Sequence, residues 1–239
     1  PPPPPFPAQQ LNTLTEYRNA GLHSRLQYVP SDALTLTAGL DWDRYGGEVT
    51  EDFAAGPDGF FSEEIFRITA PHASAQWSLD AGEGRTLVLS GGGRYFVHDV
   101  FSGEIGLQAG ARLNTGRLSL YANYAHSPNY PGVYVSVFGR RPPPWNVGED
   151  WKDLNPETID HLEGGVQIQL ADTWVLNAAV FRDAVEDALR ISPPPPAGFI
   201  LNLGDYTLSG AELSLQGTLL DDLAFFGGLT YLDSDEQVP

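Results

Sequence analysis

The stretch Glu104–Tyr124, EIGLQAGARLNTGRLSLYANY, decides the fold. Apolar residues occupy every second position on both sides of Asn114-Thr115-Gly116, as in Leu107 before it and in Leu118 and Leu120 after it. A period of two is that of a β-strand, because successive side chains of a strand point to opposite faces. Asn and Gly favour a tight turn between the two runs. The stretch therefore predicts an antiparallel hairpin with one apolar face and one polar face.

The same alternation recurs along most of the chain and predicts about ten strands of an all-β protein. Their candidate bounds are residues 19–29, 33–45, 65–79, 86–97, 103–114, 117–127, 159–170, 174–187, 199–219 and 222–233. These runs are longer than the ~5–6 residues of a usual soluble strand. They match the ~9–11 residues that a tilted strand needs to cross a bilayer. We therefore predict an antiparallel transmembrane β-barrel.

The connections between these runs alternate in length. Short turns are expected at residues 30–32, 80–85, 114–116, 171–173 and 220–222, and long loops at 46–64, 127–158 and 192–198. Short turns on one side and long loops on the other are typical of outer-membrane barrels. The segment His98–Ser102 departs from this pattern, since a long loop is expected there and the segment is short.

The residue types on the two faces favour a membrane over water. The apolar face of the clearest strands carries no charge, whereas the other face carries Gln108, Arg112, Glu163, Gln167, Gln169, Glu212 and Gln216. A lipid-facing Lys or Arg near the midplane costs about 2–4 kcal/mol, which explains a clean apolar face. Aromatic residues near strand ends fit interfacial girdles. They are Tyr17, Tyr28, Trp42, Tyr45, Trp77, Tyr95, Tyr124, Trp174, Phe225 and Tyr231.

Composition excludes some function classes. The formal net charge of -18 would repel a phosphate backbone, so nucleic acid is not an expected partner. Zero Cys removes disulfides and thiolate metal sites. The chain opens on Pro1 and contains no Met, so we expect a piece of a longer protein. Residues 1–18 are predicted to be a Pro-rich lead-in or a truncated strand, and residues 19–239 a partial barrel domain.

Four segments, in order, resemble the barrels of TonB-dependent outer-membrane receptors. Tyr121–Pro128 looks like the strand end that leads into a long extracellular loop, and Leu154–Gly165, with Asn-Pro-Glu and then Glu-x-Gly, resembles the loop-to-strand element that follows. Asn177–Asp187 and Asn202–Leu213 are similar to the next two strands. The resemblance covers about residues 117–233; the first hundred residues agree with it through periodicity.

The resemblance implies a 22-stranded barrel in the bacterial outer membrane, of which this chain supplies the later part. It also implies a separate plug domain, outside this chain, that contacts the TonB complex and gates import of a scarce ligand such as an iron-siderophore, haem or cobalamin. The protein would then be a receptor and not an enzyme, without a cofactor. A passive porin and a soluble β-sandwich binding module remain alternatives, since alternation alone occurs in both.

In such receptors the extracellular loops bind the ligand, so the resemblance implies that the segment 130–151 contributes to ligand binding. Its candidate ligand-binding residues are Tyr130, Tyr134, Arg140, Arg141, Trp145 and Trp151. Arginines and aromatic rings can hold an anionic, planar metal chelate by charge and stacking. The alternative is that these residues pack the loop onto its neighbours. No catalytic residues and no metal site are predicted, because the five His residues show neither metal-ligand spacing nor a hydrolase-like order.

Overall fold

The computed structural model of the chain describes residues 10–53, 59–132, 135, 150–191, 200–202, 204–220 and 222–237. Twelve strands are found in these residues. They are β1 (Gln10–Ser31), β2 (Leu34–Phe53), β3 (Gly59–Asp80), β4 (Arg85–His98), β5 (Glu104–Thr115), β6 (Leu118–Asn129), β7 (Glu157–Ala171), β8 (Trp174–Glu186), β9 (Leu189–Ile191), β10 (Ile200–Asn202), β11 (Asp205–Leu220) and β12 (Leu223–Gln237). A 3-10 helix, Asp150–Asp153, precedes β7.

Ten of these strands form one antiparallel sheet in the order β1-β2-β3-β4-β5-β6-β7-β8-β11-β12. The order follows the sequence, except that β8 pairs with β11 because β9 and β10 are not part of this sheet. The two short strands β9 and β10 pair only with each other among the described strands. The predicted antiparallel all-β architecture and the ten long strands are confirmed. No helix in the described ranges has the length and apolar character needed to cross a membrane.

Several predicted boundaries were wrong. The long loop predicted at residues 46–64 is mostly strand, since β2 continues to Phe53 and β3 begins at Gly59. The strand predicted at 199–219 is β10 and β11, separated at Gly204, whose φ is 68°. Beyond a bilayer a strand pair needs only backbone hydrogen bonds, so the apolar alternation that marks a strand in sequence fades there. β1 likewise begins at Gln10, nine residues before the predicted start.

The sheet has an apolar face, which we call the outer face, and a polar face, which we call the inner wall. Register aligns Leu120 with Val166 and, through Ala178, with Leu213 on the outer face. Leu107, Leu120 and Leu213 are 48%, 43% and 47% exposed there. They do not meet in a dry interior, which a soluble sandwich of two packed sheets would require.

The inner wall carries all seven polar residues that the sequence assigned to it, since the register of each strand pair places them on one continuous face of the sheet: Gln108, Arg112, Glu163, Gln167, Gln169, Glu212 and Gln216. Charged residues do occur on the outer face, but at the ends of strands towards the longer connections, as with Asp160 and Arg182. The outer face is therefore free of charged side chains only across its middle, among the described residues.

The predicted girdle is mostly on the outer face. Tyr28, Trp42, Trp77, Tyr95, Tyr124, Trp174, Phe225 and Tyr231 alternate in register with inner-wall positions and point outward. The prediction was wrong for Tyr17 and Tyr45, because their register with Gly47 and Phe66 places them on the inner wall. Sequence distance from a strand end does not reveal the face when the strand extends beyond the membrane.

Candidate functional site: the inner wall and its extracellular end

Asp41 is the centre of an ion-pair cluster on the inner wall of β1–β4. Asp41 is 8% exposed, and its Oδ2 lies 2.9 Å from Nη2 of Arg94. Nδ1 of His23 is 3.2 Å from its Oδ1, and Nδ1 of His72 is 3.6 Å from its Oδ2. A buried carboxylate needs such partners because desolvation otherwise disfavours its charge. The cluster joins four adjacent strands across the wall.

A second polar cluster lies on β7 and β8. His161 Nδ1 is 2.6 Å from Oδ1 of Asp183, and its Nε2 is 3.4 Å from Oε2 of Glu163. The His161 imidazole stacks on Phe181 with ring centroids 6.3 Å apart. Asp183 is the cross-strand register partner of His161, and Glu163 lies two residues from His161 on the same face of β7. The strand pairing therefore places these side chains next to one another.

Charge is unevenly distributed around the wall. Within the ten-stranded sheet, the described inner-wall side chains of β6, β7, β8, β11 and β12 include Glu157, Glu163, Asp183 and Glu212 but no Lys or Arg. Two cations flank this region: the Arg112 guanidinium on β5 lies 5.4 Å from the ring centroid of Tyr121, and the Arg190 guanidinium on β9 lies 5.3 Å from that of Tyr206. This half of the wall therefore presents a negative surface to whatever lies in the lumen.

Two aromatic rings of the wall lie over glycines of the next strand. A Cβ built on Gly165 would come within 2.5 Å of the Tyr121 ring, and one on Gly210 within 2.5 Å of the Phe181 ring. Glycine leaves room for a ring to lie flat against the neighbouring strand instead of projecting from the wall. The glycines thus keep two large side chains out of the lumen.

An aromatic cluster closes the end of the inner wall towards the longer connections. It contains Phe66 of β3, Tyr45 of β2 and His98 at the end of β4, Phe101 from the β4–β5 connection, and Tyr130, Val135, Trp151 and Leu154 from the β6–β7 connection. Phe66 is fully buried and its ring centroid lies 5.7 Å from that of Phe101 and 6.0 Å from that of Trp151. The short connection at 99–103 therefore contributes a core residue instead of a long loop.

His98 joins the parts of this aromatic cluster. Its Nδ1 accepts hydrogen bonds from the backbone N–H of Val100 (3.0 Å) and of Phe101 (3.3 Å), so its proton is on Nε2, which lies 3.0 Å from Oη of Tyr45. Its ring stacks on Tyr130 with centroids 4.9 Å apart. Burial lowers the pKa of His98, with Asp99 opposing this shift, and the neutral ring suits two backbone donors.

Burial also holds the phenols of the cluster in their neutral form. It raises the pKa of Tyr130 to about 12, with nearby Glu104 adding to the shift. It raises the pKa of Tyr45 well above its ordinary value, with Asp99 adding to it. Tyr130 donates its hydroxyl hydrogen to the carbonyl of Ser102 at 3.0 Å. These hydroxyls therefore act as hydrogen-bonding groups and not as bases.

The Asn-Pro-Glu motif at 155–157 ties neighbouring connections together. The backbone N–H of Asn155 donates to Oδ1 of Asn202 (2.9 Å), and Nδ2 of Asn202 donates to the carbonyls of Asn155 (3.0 Å) and Asp187 (2.7 Å). Glu157 accepts from the backbone N–H of Leu189 at 3.1 Å and from Nδ2 of Asn129 at 3.1 Å. The motif thus fixes the β6–β7 connection to the one between β8 and β11.

Only two of the six predicted ligand-binding residues are within the described residues. Tyr130 and Trp151 both pack in the aromatic cluster, and Trp151 is 4% exposed. Tyr134, Arg140, Arg141 and Trp145 lie outside the described residues. Tyr130 and Trp151 therefore pack the loop onto its neighbours, which was the alternative to ligand binding. Ligand contact by any of the six residues stays a prediction.

The sequence missed Phe66, His98 and Phe101, and it missed every His–carboxylate pair. The pairs His23–Asp41, His126–Asp160 and His161–Asp183 join adjacent strands, so their partners are distant in sequence. The strand pattern could have found them once register was known. In the part of the chain that the structure describes, no three His, Asp or Glu side chains are arranged to hold a metal ion.

Comparisons with known proteins agree with this architecture. The family described as TonB dependent receptor-like, beta-barrel matches residues 1–239. A probable TonB-dependent siderophore receptor of Acinetobacter baumannii, PiuA, is 26% identical over 185 residues, which are 73% of this chain and 24% of PiuA. The siderophore receptor PirA from Pseudomonas aeruginosa has the same fold, with a TM-score of 0.72 at 21% identity over 92% of this chain and 41% of PirA. The copper transporter OprC gives a TM-score of 0.68 at 16% identity over 94% of this chain and 39% of OprC.

Proposed function

This chain belongs to the TonB-dependent receptor β-barrel family, and we propose that it works, within a longer protein, as part of an outer-membrane receptor that imports a scarce ligand. The family is one of receptors and transporters, and the chain spans 24% of PiuA and 41% of PirA. The ligand class that we propose is an iron-siderophore, with haem and cobalamin as the other members of the expected set.

The division between the two faces supports this proposal most directly. The outer face presents exposed leucines across its middle, and the inner wall presents ion pairs, amides and carboxylates. Hydrocarbon on one side and a polar lumen on the other require this division. Siderophore receptors recur among the similar proteins, which favours an iron chelate as the ligand.

We propose that the ligand is caught at the extracellular end, by the β6–β7 connection. Arg140, Arg141, Tyr134 and Trp145 would supply charge and stacking for an anionic chelate. The aromatic cluster anchors both ends of this connection on the inner wall through Tyr130 and Trp151. The indole N–H of Trp151 is buried and has no hydrogen-bond partner within the described ranges.

Transport measurements test this proposal. The full-length receptor should be expressed in a Gram-negative strain without its own siderophore receptors, and uptake of radiolabelled ferric siderophores, haem and cobalamin should be measured. We expect accumulation of one of these ligands that is saturable and that is lost when TonB is deleted. Uptake that does not depend on TonB would favour a passive porin, and no uptake of any of the three would reject the proposed ligand set.

A matched variant tests the candidate residues. Replacing Arg140 and Arg141 by Gln should weaken binding of an anionic chelate by about tenfold or more, because charge-assisted hydrogen bonds contribute roughly 1.5–3 kcal/mol each. Replacing Arg85 and Arg117, which lie at turns at the other end of the sheet, by Gln is the control of equal charge. Equal affinity of the two double variants would remove Arg140 and Arg141 from the proposed site.

A further inference from the structure

Two arginines face each other directly on the outer face. Arg44 on β2 is the register partner of Arg67 on β3, and Ala20 on β1 and Asp99 after β4 continue the same row. Like charges opposite each other on adjacent strands destabilise a sheet unless a counter-charge lies between them. The row therefore needs an anion.

The protein supplies only part of that charge. Asp99 accepts from the backbone N–H of Arg67 at 2.9 Å, and its Oδ2 is 3.3 Å from Nη1 of Arg67. Arg44 has no ion-pair or hydrogen-bond partner among the described side chains, in contrast to Arg67 and Arg18. Arg18, one row further out, is 3.6 Å from Glu16 and so is balanced locally. Among the described side chains, one positive charge of the Arg44–Arg67 pair therefore has no counter-charge beside it, in a chain whose net charge is -18.

The height of the pair places it at the membrane surface. The apolar outer positions of β2 run from Leu34 to Trp42. At ~3.3 Å per residue they cover roughly 27 Å along the strand. At a tilt of ~40° this is about 20 Å along the membrane normal, close to the ~25 Å apolar band of such barrels. Arg44 is the next outward residue, on the side of the longer connections, which is the extracellular side.

We propose that Arg44 and Arg67 together bind the phosphate of an anionic glycolipid headgroup in the outer leaflet. This inference rests on the outer-membrane location that the proposed function includes. Cross-strand partners have Cβ atoms about 4.5–5.5 Å apart, so both guanidinium groups can reach one phosphate. Guanidinium matches phosphate with paired N–H donors, which an ammonium does not. Trp42 and Leu22 below the pair contact the acyl region.

The test uses the full-length receptor extracted from outer membranes in mild detergent. The glycolipid that remains bound is measured by native mass spectrometry and by phosphate content per protein. Arg44→Gln with Arg67→Gln should lower the retained phosphate-bearing glycolipid by about fivefold for each arginine. Arg85→Gln with Arg117→Gln removes equal charge at the opposite leaflet and should leave retention unchanged.

A third variant keeps the test independent of assembly defects. Asp99→Asn removes the competing carboxylate but keeps an oxygen acceptor for the backbone N–H of Arg67, so it should raise glycolipid retention. Equal retention in the wild type and the Arg44/Arg67 variant, equal loss in the control variant, or no rise with Asp99→Asn would each overturn the proposal. Added inorganic phosphate should not displace the lipid. Ligand uptake by the Arg44/Arg67 variant should stay at the wild-type level, so a failed uptake assay bears on the proposed function alone.

Discussion

Gly164 and Gly165 are adjacent residues that point to opposite faces of β7. A Cβ on Gly165 would enter the ring of Tyr121, whereas the nearest atom to a Cβ on Gly164 is 3.8 Å away, an ordinary contact. Only the inner-wall glycine is therefore required by its neighbours. The physical reason is the ring that covers it, because neither residue has an unusual φ.

We predict that Gly165→Ala destabilises the folded barrel by about 1–3 kcal/mol, because the Tyr121 ring must leave the wall. Gly164→Ala should change stability by less than about 0.5 kcal/mol. Urea unfolding of the full-length receptor in lipid vesicles measures both. Similar losses for the two variants would show that Tyr121 does not set the requirement for glycine at 165.

His98 is a titratable group buried at the end of the inner wall towards the longer connections. Burial lowers its pKa below the usual 6.5, so the unfolded chain takes up this proton first as the pH falls. Its contribution to stability is therefore complete above about pH 6.5 and is lost as the pH falls through the range below it. Protonation also places a hydrogen on Nδ1, where Val100 and Phe101 both donate.

We expect the melting temperature of the full-length receptor to fall as the pH is lowered below about 6.5, and to fall less steeply in His98→Asn. Asn keeps an oxygen acceptor near the two backbone donors but does not titrate. The comparison of melting temperature against pH for the two proteins is the measurement. Parallel curves would assign the acid sensitivity to other groups, and His126→Asn, outside the aromatic cluster, is the control.

At the scale of elements, each strand has one face for lipid and one for the lumen. Leu120 on β6 pairs with Val166 on the outer face, while Ser119 pairs with Gln167 on the inner wall. A shift of one residue would exchange the two sets, so register is strongly specified wherever both environments are present. Towards the longer connections, β2 and β3 continue as a paired ladder from Gly46 with Ile65 to Glu51 with Gly59.

We predict that Leu120→Arg blocks assembly into the outer membrane, because a lipid-facing arginine costs about 2–4 kcal/mol near the midplane. Gln167→Arg should be tolerated, since that side chain meets the polar lumen. Heat-modifiable migration on a gel and the yield of the full-length receptor in outer-membrane fractions measure assembly. Equal yields for the two variants would contradict the assignment of the faces.

At the scale of the whole molecule, the described sheet has two edges. β1 pairs only with β2 and β12 only with β11 among the described strands. Unpaired backbone groups are too costly in hydrocarbon for such edges to face lipid. In hydrocarbon both edges therefore need partners, and this chain covers 41% of PirA. The polar clusters around Asp41 and His161 lie on the same wall of this sheet.

The amino-acid sequence by itself determined the strand periodicity, the ten long strands, the two faces and the family resemblance of residues 117–233. These depend on local alternation, and an environment with oil on one side and water on the other imposes that alternation on every strand. The same reasoning misplaced Tyr45, the loop at 46–64 and the break at Gly204, where the alternation no longer operates.

Only the tertiary structure decided which residues meet across strands. The pairs His161–Asp183 and Arg44–Arg67 and the ring of Tyr121 over Gly165 depend on register, which a single strand's pattern does not contain. The packing of Trp151 against Phe66 depends on how a connection folds back over the wall, which composition does not encode. Contacts between segments distant in sequence are set by chain geometry, and for that reason they emerged only with the fold.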